Sequence, residues 1–290
     1  MSKIKTWLLA TRPKTLPASI IPVLVGSSIA ARDGFFEWYY LWIILTCALL
    51  IQIITNFFNE YYDYLKGADT KERLGPQRAV AAGLISPGAM KAASIVLLII
   101  TFALGMLLVM KAGWLILVIG VFSLFFAWGY TGGPLPLAYK GLGDIFVLIF
   151  FGIIAVNGTY FVFAESFSEV AFIAGFAPGI FSMNILSVNN IRDIETDKKA
   201  GKITMAVRLG AKTSKIIFIV LNLLAFSVSV ILSVYLDSIE MLYPLAVLPL
   251  SLKIIRNLYL RKGKALNKVL AQTGLLLMIH GLLMVVGFVM

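Results

Sequence analysis

Residues 39–69 read YYLWIILTCALLIQIITNFFNEYYDYLKGAD. The stretch opens with an apolar run, 39–62, longer than the roughly 20 residues that cross a bilayer as a helix. It closes on Asn59, Glu60, Asp63 and Asp69, oxygen-bearing side chains gathered at one end of the run. Eight more segments share the apolar character: roughly 16–31, 90–109, 113–130, 142–163, 169–188, 214–235, 240–256 and 270–289. Backbone groups in lipid must be bonded within the segment, so such runs are helices. The expected fold is an all-α polytopic membrane protein with nine transmembrane helices, a single domain over 1–290, its termini on opposite sides of the bilayer.

Composition agrees. Of 290 residues, 60% are hydrophobic and 13% charged, and the mean hydropathy is +0.94. Soluble domains are nearer half apolar and a quarter charged. No cleavable signal peptide is expected, because the first apolar run follows Arg12-Pro13-Lys14, contains Pro17 and Pro22, and lacks a small-residue cleavage site. The single cysteine, Cys47, forms no disulfide within the chain and reads as a small core- or lipid-facing residue. His280, alone in the last apolar run, reads as a core histidine.

The net charge of +11 would suggest nucleic acid in a soluble protein. Here its placement suggests topology, and no nucleic-acid partner is expected. All of the 25 Lys and Arg except Arg32 and Lys111 fall in the N-terminal segment and the second–third, fourth–fifth, sixth–seventh and eighth–ninth connections, Lys71 among them. The positive-inside rule puts that side, and the N-terminus, in the cytoplasm; the location expected is the cell (inner) membrane. Asp33, Glu37, Glu165, Glu169, Asp237 and Glu240 scatter over the other side. Glu60, Asp63, Asp69, Glu72, Asp144, Asp193, Glu195 and Asp197 concentrate in three inner connections, while the eighth–ninth connection carries Lys253, Arg256, Arg261, Lys262, Lys264 and Lys268 with no acid.

Two motifs hold most of these acids. In Asn59-Glu60-Tyr61-Tyr62-Asp63-Tyr64-Leu65-Lys66-Gly67-Ala68-Asp69, Asn59 and Asp63 are i and i+4 and share a helix face. Gly67 can end the helix and let Asp69 fold back. In Asn189-Asn190-Ile191-Arg192-Asp193-Ile194-Glu195-Thr196-Asp197, the spacing puts Asn189, Asp193 and Asp197 on one face. Each motif continues into a Gly-containing basic loop, Gly75-Pro76-Gln77-Arg78-Ala79-Val80 or Gly201-Lys202 through Ala206-Val207-Arg208. This reads as a weak internal repeat, the motifs facing each other across a cavity. Carboxylates without His or Cys are hard oxygen ligands of the kind Mg²⁺ shares with phosphates and water, and neighbouring Arg and Lys suit the phosphates. Interfacial caps and surface ion pairs are the bland alternative. A single motif leaves the two readings level; a matched pair at equivalent helix ends favours the metal–diphosphate reading. A third inner connection runs Gly129-Tyr130-Thr131-Gly132-Gly133-Pro134-Leu135-Pro136-Leu137-Ala138-Tyr139-Lys140-Gly141-Leu142-Gly143-Asp144. Tyr130, Tyr139, Lys140 and Asp144 are candidates to project into the cavity mouth, against a reading as a rigid hairpin with interfacial tyrosines. Phe57, Phe58, Trp128, Phe150, Phe151 and Phe161 read as packing or as a lipid tunnel. The Arg12–Pro17 segment reads as topology or as a substrate contact.

At these motifs the sequence resembles the UbiA superfamily of intramembrane prenyltransferases over nearly the whole chain, and within it the branch that prenylates 1,4-dihydroxy-2-naphthoate. The resemblance rests on Arg12-Pro-Lys-Thr-Leu-Pro17, Asn59-x-x-x-Asp63-x-x-x-Gly67-x-Asp69, Gly75-Pro-x-Arg78, Tyr130-Thr-Gly-Gly-Pro134, Gly141-Leu-Gly-Asp144 and Asn189-Asn-x-Arg192-Asp193-x-Glu195-x-Asp197-x-x-x-Gly201. The third acid of the first motif lies ten residues after Asn59, as in the naphthoate branch, rather than eight. Glu60 stands where many members have Asp. The resemblance implies a ring of nine helices around a central cavity open to lipid, with Mg²⁺ between the motifs and a polyprenyl diphosphate and an aromatic acceptor as partners. It implies prenyl transfer to dihydroxynaphthoate with decarboxylation, giving demethylmenaquinone. It further implies that Asn59, Asp63, Asp69, Asp193 and Asp197 hold the metal. Arg78, Asn190, Arg192, Lys198, Lys202 and Tyr139 would bind substrate. Tyr130, Lys140 and Asp144 would lie near the acceptor or the reacting carbon, and Arg12 or Lys140 would meet the acceptor carboxylate. A superfamily relative with another acceptor and a secondary transporter of an anionic solute are the competing readings.

Overall fold

The computed structural model describes residues 2–70, 73–134 and 136–290. Lys71, Glu72 and Leu135 lie outside the described residues. Among those described, all regular structure is helical, and the longest connection covers 66–86. α1 (Lys3–Ala10) meets α2 (Pro17–Arg32) at a bend of 54°. α3 (Trp38–Leu65), α4 (Pro87–Ala112) and α5 (Trp114–Gly129) follow. α6 (Gly143–Leu148) runs through a π-helical turn, Ile149–Ile154, into α7 (Ala155–Ala164). Then come α8 (Glu169–Arg192), the short α9 (Ile194–Lys199), α10 (Met205–Leu236), a 3-10 stretch Ile239–Val247 leading into α11 (Leu248–Leu260), and α12 (Leu266–Val289).

The sequence marks several of these boundaries. Ser86, Ser168 and Thr204 cap α4, α8 and α10, each side-chain oxygen accepting from a first-turn N–H. Pro87 follows Ser86 at the first helical position, where its missing N–H costs nothing.

Every apolar segment read from the sequence coincides with helical structure. Among the described residues, six helices are long and apolar enough to cross a membrane, and seven when the bent α1–α2 pair counts as one span. The protein is an integral membrane protein. α5 is apolar but has only 16 residues. The 240–256 segment is divided at Val247, with Pro244 in its 3-10 half and Pro249 at the start of α11.

Helix packs on helix from α2 through α12, and α12 closes against α2. α8 is the most enclosed: 78% of its apolar stretch is buried inside the protein, against 17% for the peripheral α4. Its core face carries Phe181 and Val188. His280 of α12 is buried between the rings of Phe181 and Phe226, at 4.8 and 5.2 Å, and Cys47 is buried in the same core. α8 and the π turn approach closely because both are glycine there. A Cβ on Gly152 would lie 2.5 Å from the Gly175 carbonyl and 2.6 Å from Gly179 Cα.

That crossing gives a direct test. Gly152→Leu should destabilise the protein by roughly 1–3 kcal/mol through overpacking, read as a lower unfolding temperature in detergent. An unchanged midpoint would contradict the tight crossing.

Candidate active site

The first acid motif closes α3. Gly67 adopts φ +66°, the Gly67 N–H bonds the Tyr64 carbonyl at 3.0 Å, and the Ala68 N–H bonds the Asp63 carbonyl at 2.9 Å. This paired termination turns the chain back on its helix. Asp69 returns with its side chain 1% exposed, close to where Asp63 ends. Arg78 lies among the acids, 3.5 Å from both Asp63 Oδ2 and Asp69 Oδ2 and 3.9 Å from Glu60 Oε2. Arg73 pairs with Asp69 as well. Buried carboxylates persist only with such partners. Glu60 also fastens the following loop to α3, its Oε1 accepting the Val80 N–H at 2.9 Å.

The second motif is not one continuous helix. α8 stops at Arg192, Asp193 sits at the junction, and α9 restarts at Ile194. The i, i+4 relation survives the break, for the Asp193 N–H bonds the Asn189 carbonyl at 3.1 Å and the Asp197 N–H bonds the Asp193 carbonyl at 2.7 Å. The Arg192 guanidinium explains the local geometry. It donates to both oxygens of Asp193 at 2.8 and 2.5 Å, to Asn189 Oδ1 at 2.7 Å and to Asn267 Oδ1 at 2.6 Å. Asn267 in turn donates to the Leu74 carbonyl at 2.9 Å. A Cβ on Gly75 would lie 2.9 Å from Arg192 Nη2. The loop after the first motif thus lies against the arginine of the second, and α12 ties both.

Both motifs border a cavity of about 400 Å³. Its polar wall includes Arg12, Asn59, Asp63, Arg78, Tyr130, Asp144, Asn189, Asn190 and Lys202, and its apolar wall includes Leu108, Ile116, Phe126, Phe150, Phe151 and Val162. The third connection closes over this mouth. Tyr139 donates its hydroxyl to Asp63 Oδ1 at 2.8 Å, with Lys66 Nζ 4.0 Å and Lys202 Nζ 5.6 Å from its ring centroid. Lys66 also donates to the Thr131 carbonyl at 2.6 Å, and the Thr131 hydroxyl bonds Asn59. Burial and the nearby Asp63 keep the Tyr139 phenol protonated well above its usual range.

Lys140 and Lys198 are not brought to the cavity; both side chains are exposed. Gly141, at φ +71°, ends the turn that holds Lys140 outward, and the Lys140 carbonyl accepts from Arg208 at 2.8 Å. Asp69, Asp193, Asp197, Arg192 and Tyr139 stand behind the wall or beside it rather than on it. Sequence reasoning missed Arg73, Thr131, Gln52 and Asn56, all of which line the cavity. Gln52, Asn56, Asn59 and Asp63 form a polar stripe at helical spacing on an otherwise apolar α3, a signal the spacing contains. Asn56 donates to the Thr11 carbonyl at 3.0 Å and Arg12 donates to the Asn56 carbonyl at 3.5 Å, with Arg12 in the left-handed region at φ 53°.

Among the described residues no three His, Cys, Asp or Glu side chains converge to hold an ion alone. The donor set nevertheless fits a hard cation that takes one or two carboxylates and completes its shell with phosphate and water. Asp197 Oδ2 is buried with no hydrogen-bond partner, and Asp69 Oδ2 has none beyond its ion pair with Arg78 at 3.5 Å. Burial pushes both carboxyls up to about 6; Arg73 opposes it at Asp69 and Lys202 at Asp197.

Fold and site define an integral membrane protein whose apolar chamber ends in a mouth of acids and arginines, matched to an amphiphile with a charged oxygen-rich head. The chain belongs to the UbiA prenyltransferase family, which it matches over residues 19–282. A relative from Haemophilus influenzae, a 1,4-dihydroxy-2-naphthoate octaprenyltransferase, is 36% identical over 74% of this chain and 72% of its own. One of the same name from Mycobacterium tuberculosis is 34% identical over 97% of this chain and 96% of its own. A UbiA homolog from Archaeoglobus fulgidus, solved with GPP and Mg²⁺ bound, shares the fold at TM-score 0.64 and 14% identity, covering 97% of this chain and 99% of that one.

The raised carboxyls predict a pH dependence. Metal binding requires the ionised form, and a carboxyl raised to about 6 gains its proton on acidification well before an ordinary one. If Asp69 and Asp197 take part in holding Mg²⁺, its affinity for the substrate-free protein, measured by calorimetric titration, weakens steeply as pH falls below about 6. A flat affinity from about pH 7 to about 5 would refute the role of these two acids.

Proposed function

We propose that the protein transfers a polyprenyl group from polyprenyl diphosphate to 1,4-dihydroxy-2-naphthoate, with loss of the ring carboxylate as CO₂, giving demethylmenaquinone in its quinol form. The observation that carries this reading is the meeting of two acid motifs, each engaged by buried arginine, at the mouth of one apolar cavity. The names of the relatives supply the acceptor, and the GPP and Mg²⁺ of the A. fulgidus homolog support the diphosphate and the metal.

Asn59, Asp63, Asp69, Asp193 and Asp197 are assigned to hold Mg²⁺, directly or through water. Bound there, the ion would supply positive charge to the departing diphosphate oxygens. Arg78, Arg192 and Lys202, joined by Arg73, take the diphosphate. The carboxylate partners of the three arginines support this, since a guanidinium fork that meets a carboxylate also suits a phosphate. The prenyl chain lies along the apolar wall. That wall excludes water, and its aromatic faces at Phe126, Phe150 and Phe151 tolerate the developing allylic cation. Tyr130 and Asp144 flank the reacting carbon, and Asn190 and Tyr139 position the head of the substrate. Arg12 meets the acceptor carboxylate: it lines the cavity, whereas Lys140 is exposed. Attack of the electron-rich ring on the allylic carbon forms the C–C bond as the C–O bond to diphosphate breaks, and loss of CO₂ restores the aromatic ring.

Nine crossings are proposed, with the N-terminus and both motifs on the cytoplasmic side of the cell (inner) membrane and the whole chain, 1–290, as one domain. The charge distribution supports that orientation.

Purified protein given a polyprenyl diphosphate, Mg²⁺ and dihydroxynaphthoate should release diphosphate and a prenylated, decarboxylated product. Asp63→Asn and Asp193→Asn should each lower kcat/KM by at least about a hundredfold, the scale of a lost charge-stabilising contact. Arg12→Ala should raise the KM for the acceptor about tenfold or more, as expected for a lost charge-assisted contact, with little effect on the KM for the diphosphate. Lys140→Ala should leave both within about twofold, as surface substitutions generally do. Product with a different acceptor alone overturns the branch. No product with any acceptor, alongside solute uptake sensitive to Asp63→Asn, overturns the enzyme.

A further inference from the structure

We infer that the groove between α10 and α11 is a binding site for an anionic phospholipid, its head held by Lys212, Lys215, Arg256 and Lys262 and its chains by Ile216, Val220 and Leu252. None of these residues lines the cavity between the acid motifs.

Two stripes define it. On α11, Ser251, Ile254 and Leu258 are buried against the protein, and the opposite stripe, Leu252, Arg256 and Tyr259, is exposed at four- and three-residue spacing. On α10, Lys212, Lys215, Ile216 and Val220 form the matching stripe. Lys215 Nζ lies 5.2 Å from the Tyr259 ring centroid, which brings the two stripes together. Lys262, on the connection that follows α11, is within electrostatic reach of Lys215.

The charges are uncompensated. No Asp or Glu occurs between Asp197 and Asp237, and none after Glu240. Among the described residues no ion pair involves Lys212, Lys215, Arg256 or Lys262. The cations of the catalytic mouth behave differently: Arg73, Arg78 and Arg192 each hold a carboxylate. Topology alone needs positive charge in the connections, not within a helix. Arg256 and Lys253 lie four and seven residues before the end of α11, or about 6 and 10 Å along its axis. Cations at that depth on a lipid-facing surface seek headgroup phosphates. Clustered cations between helices on the cytoplasmic side, with an aromatic ring among them and exposed aliphatic side chains below, match the two ends of an acidic lipid. Ile216, Val220 and Leu252 are 48%, 49% and 65% exposed, which leaves them available to acyl chains.

Native mass spectrometry of the detergent-purified protein, titrated with dioleoylphosphatidylglycerol or dioleoylphosphatidylcholine, tests the site. The phosphatidylglycerol should bind more tightly. The double variant K215A/R256A should lower that affinity about tenfold, the scale of losing membrane-surface cations, and leave phosphatidylcholine binding unchanged. K3A/K91A, which removes two cations from elsewhere on the same side, should change neither. The longer-stemmed pair K215Q/R256Q guards against a folding defect and should show the same loss with an unchanged unfolding temperature. Equal affinity for the two lipids, an equal loss in K3A/K91A, or full phosphatidylglycerol binding by K215Q/R256Q overturns the proposal.

Discussion

Arg78 sits between Asp63 and Asp69, within 3.9 Å of Glu60, at the edge of a protein that is otherwise mostly hydrocarbon. Charges this buried are costly unless each finds its opposite. The turn at Gly67 brings Asp69 back to Asp63, Glu60 draws the next loop in through Val80, and Arg78 arrives on that loop. Arg192 repeats the arrangement at the end of α8. Breaking either arginine's contacts would strand carboxylates in a low-dielectric environment, so loops that would otherwise wander are fixed to helix ends. The conformation of the mouth follows from this pairing more than from packing, because its residues are polar and its backbone irregular.

The apolar body has a different logic. α8 is enclosed on most sides and carries both a close glycine crossing and the second motif. Its position is thereby set at two levels, by contact of backbone on backbone at Gly152, Gly175 and Gly179 and by the Arg192 network at its end. The cavity lies between these constraints, with apolar walls from the helices and polar groups supplied where α3 and α8 terminate. An amphiphile fits such a chamber because its two ends find matching surroundings at the same time.

Much of this was legible in the sequence. The apolar runs give the helices because lipid leaves the backbone no alternative, and Gly67 announces its own turn. The pairing of acid with arginine could be expected from composition, but not which arginine meets which acid: that Arg192 holds its own neighbour Asp193 is visible only in the side-chain geometry. Lys140 and Asp144 looked alike in a Gly- and Pro-rich loop, and only the backbone path separates an exposed lysine from a buried aspartate. Asn56 and Gln52 were hidden by the apolar residues around them, although their spacing continues the stripe that ends in Asp63. The pieces of the divided 240–256 segment were likewise invisible to hydropathy, which registers composition and not the 3-10 path around Pro244.

Tyr139 lies near both Lys66 and Lys202 while its hydroxyl reaches Asp63. Its ring softens the repulsion between two ammonium groups, and its hydroxyl satisfies a carboxylate oxygen. A phosphate and a metal ion would perform those same two services. Filling the site is then an exchange of one set of partners for another rather than the opening of a void. A mouth arranged in this way keeps its charges partnered before any ligand enters, through the hydroxyl of Tyr139 on Asp63 and its ring beside Lys66 and Lys202.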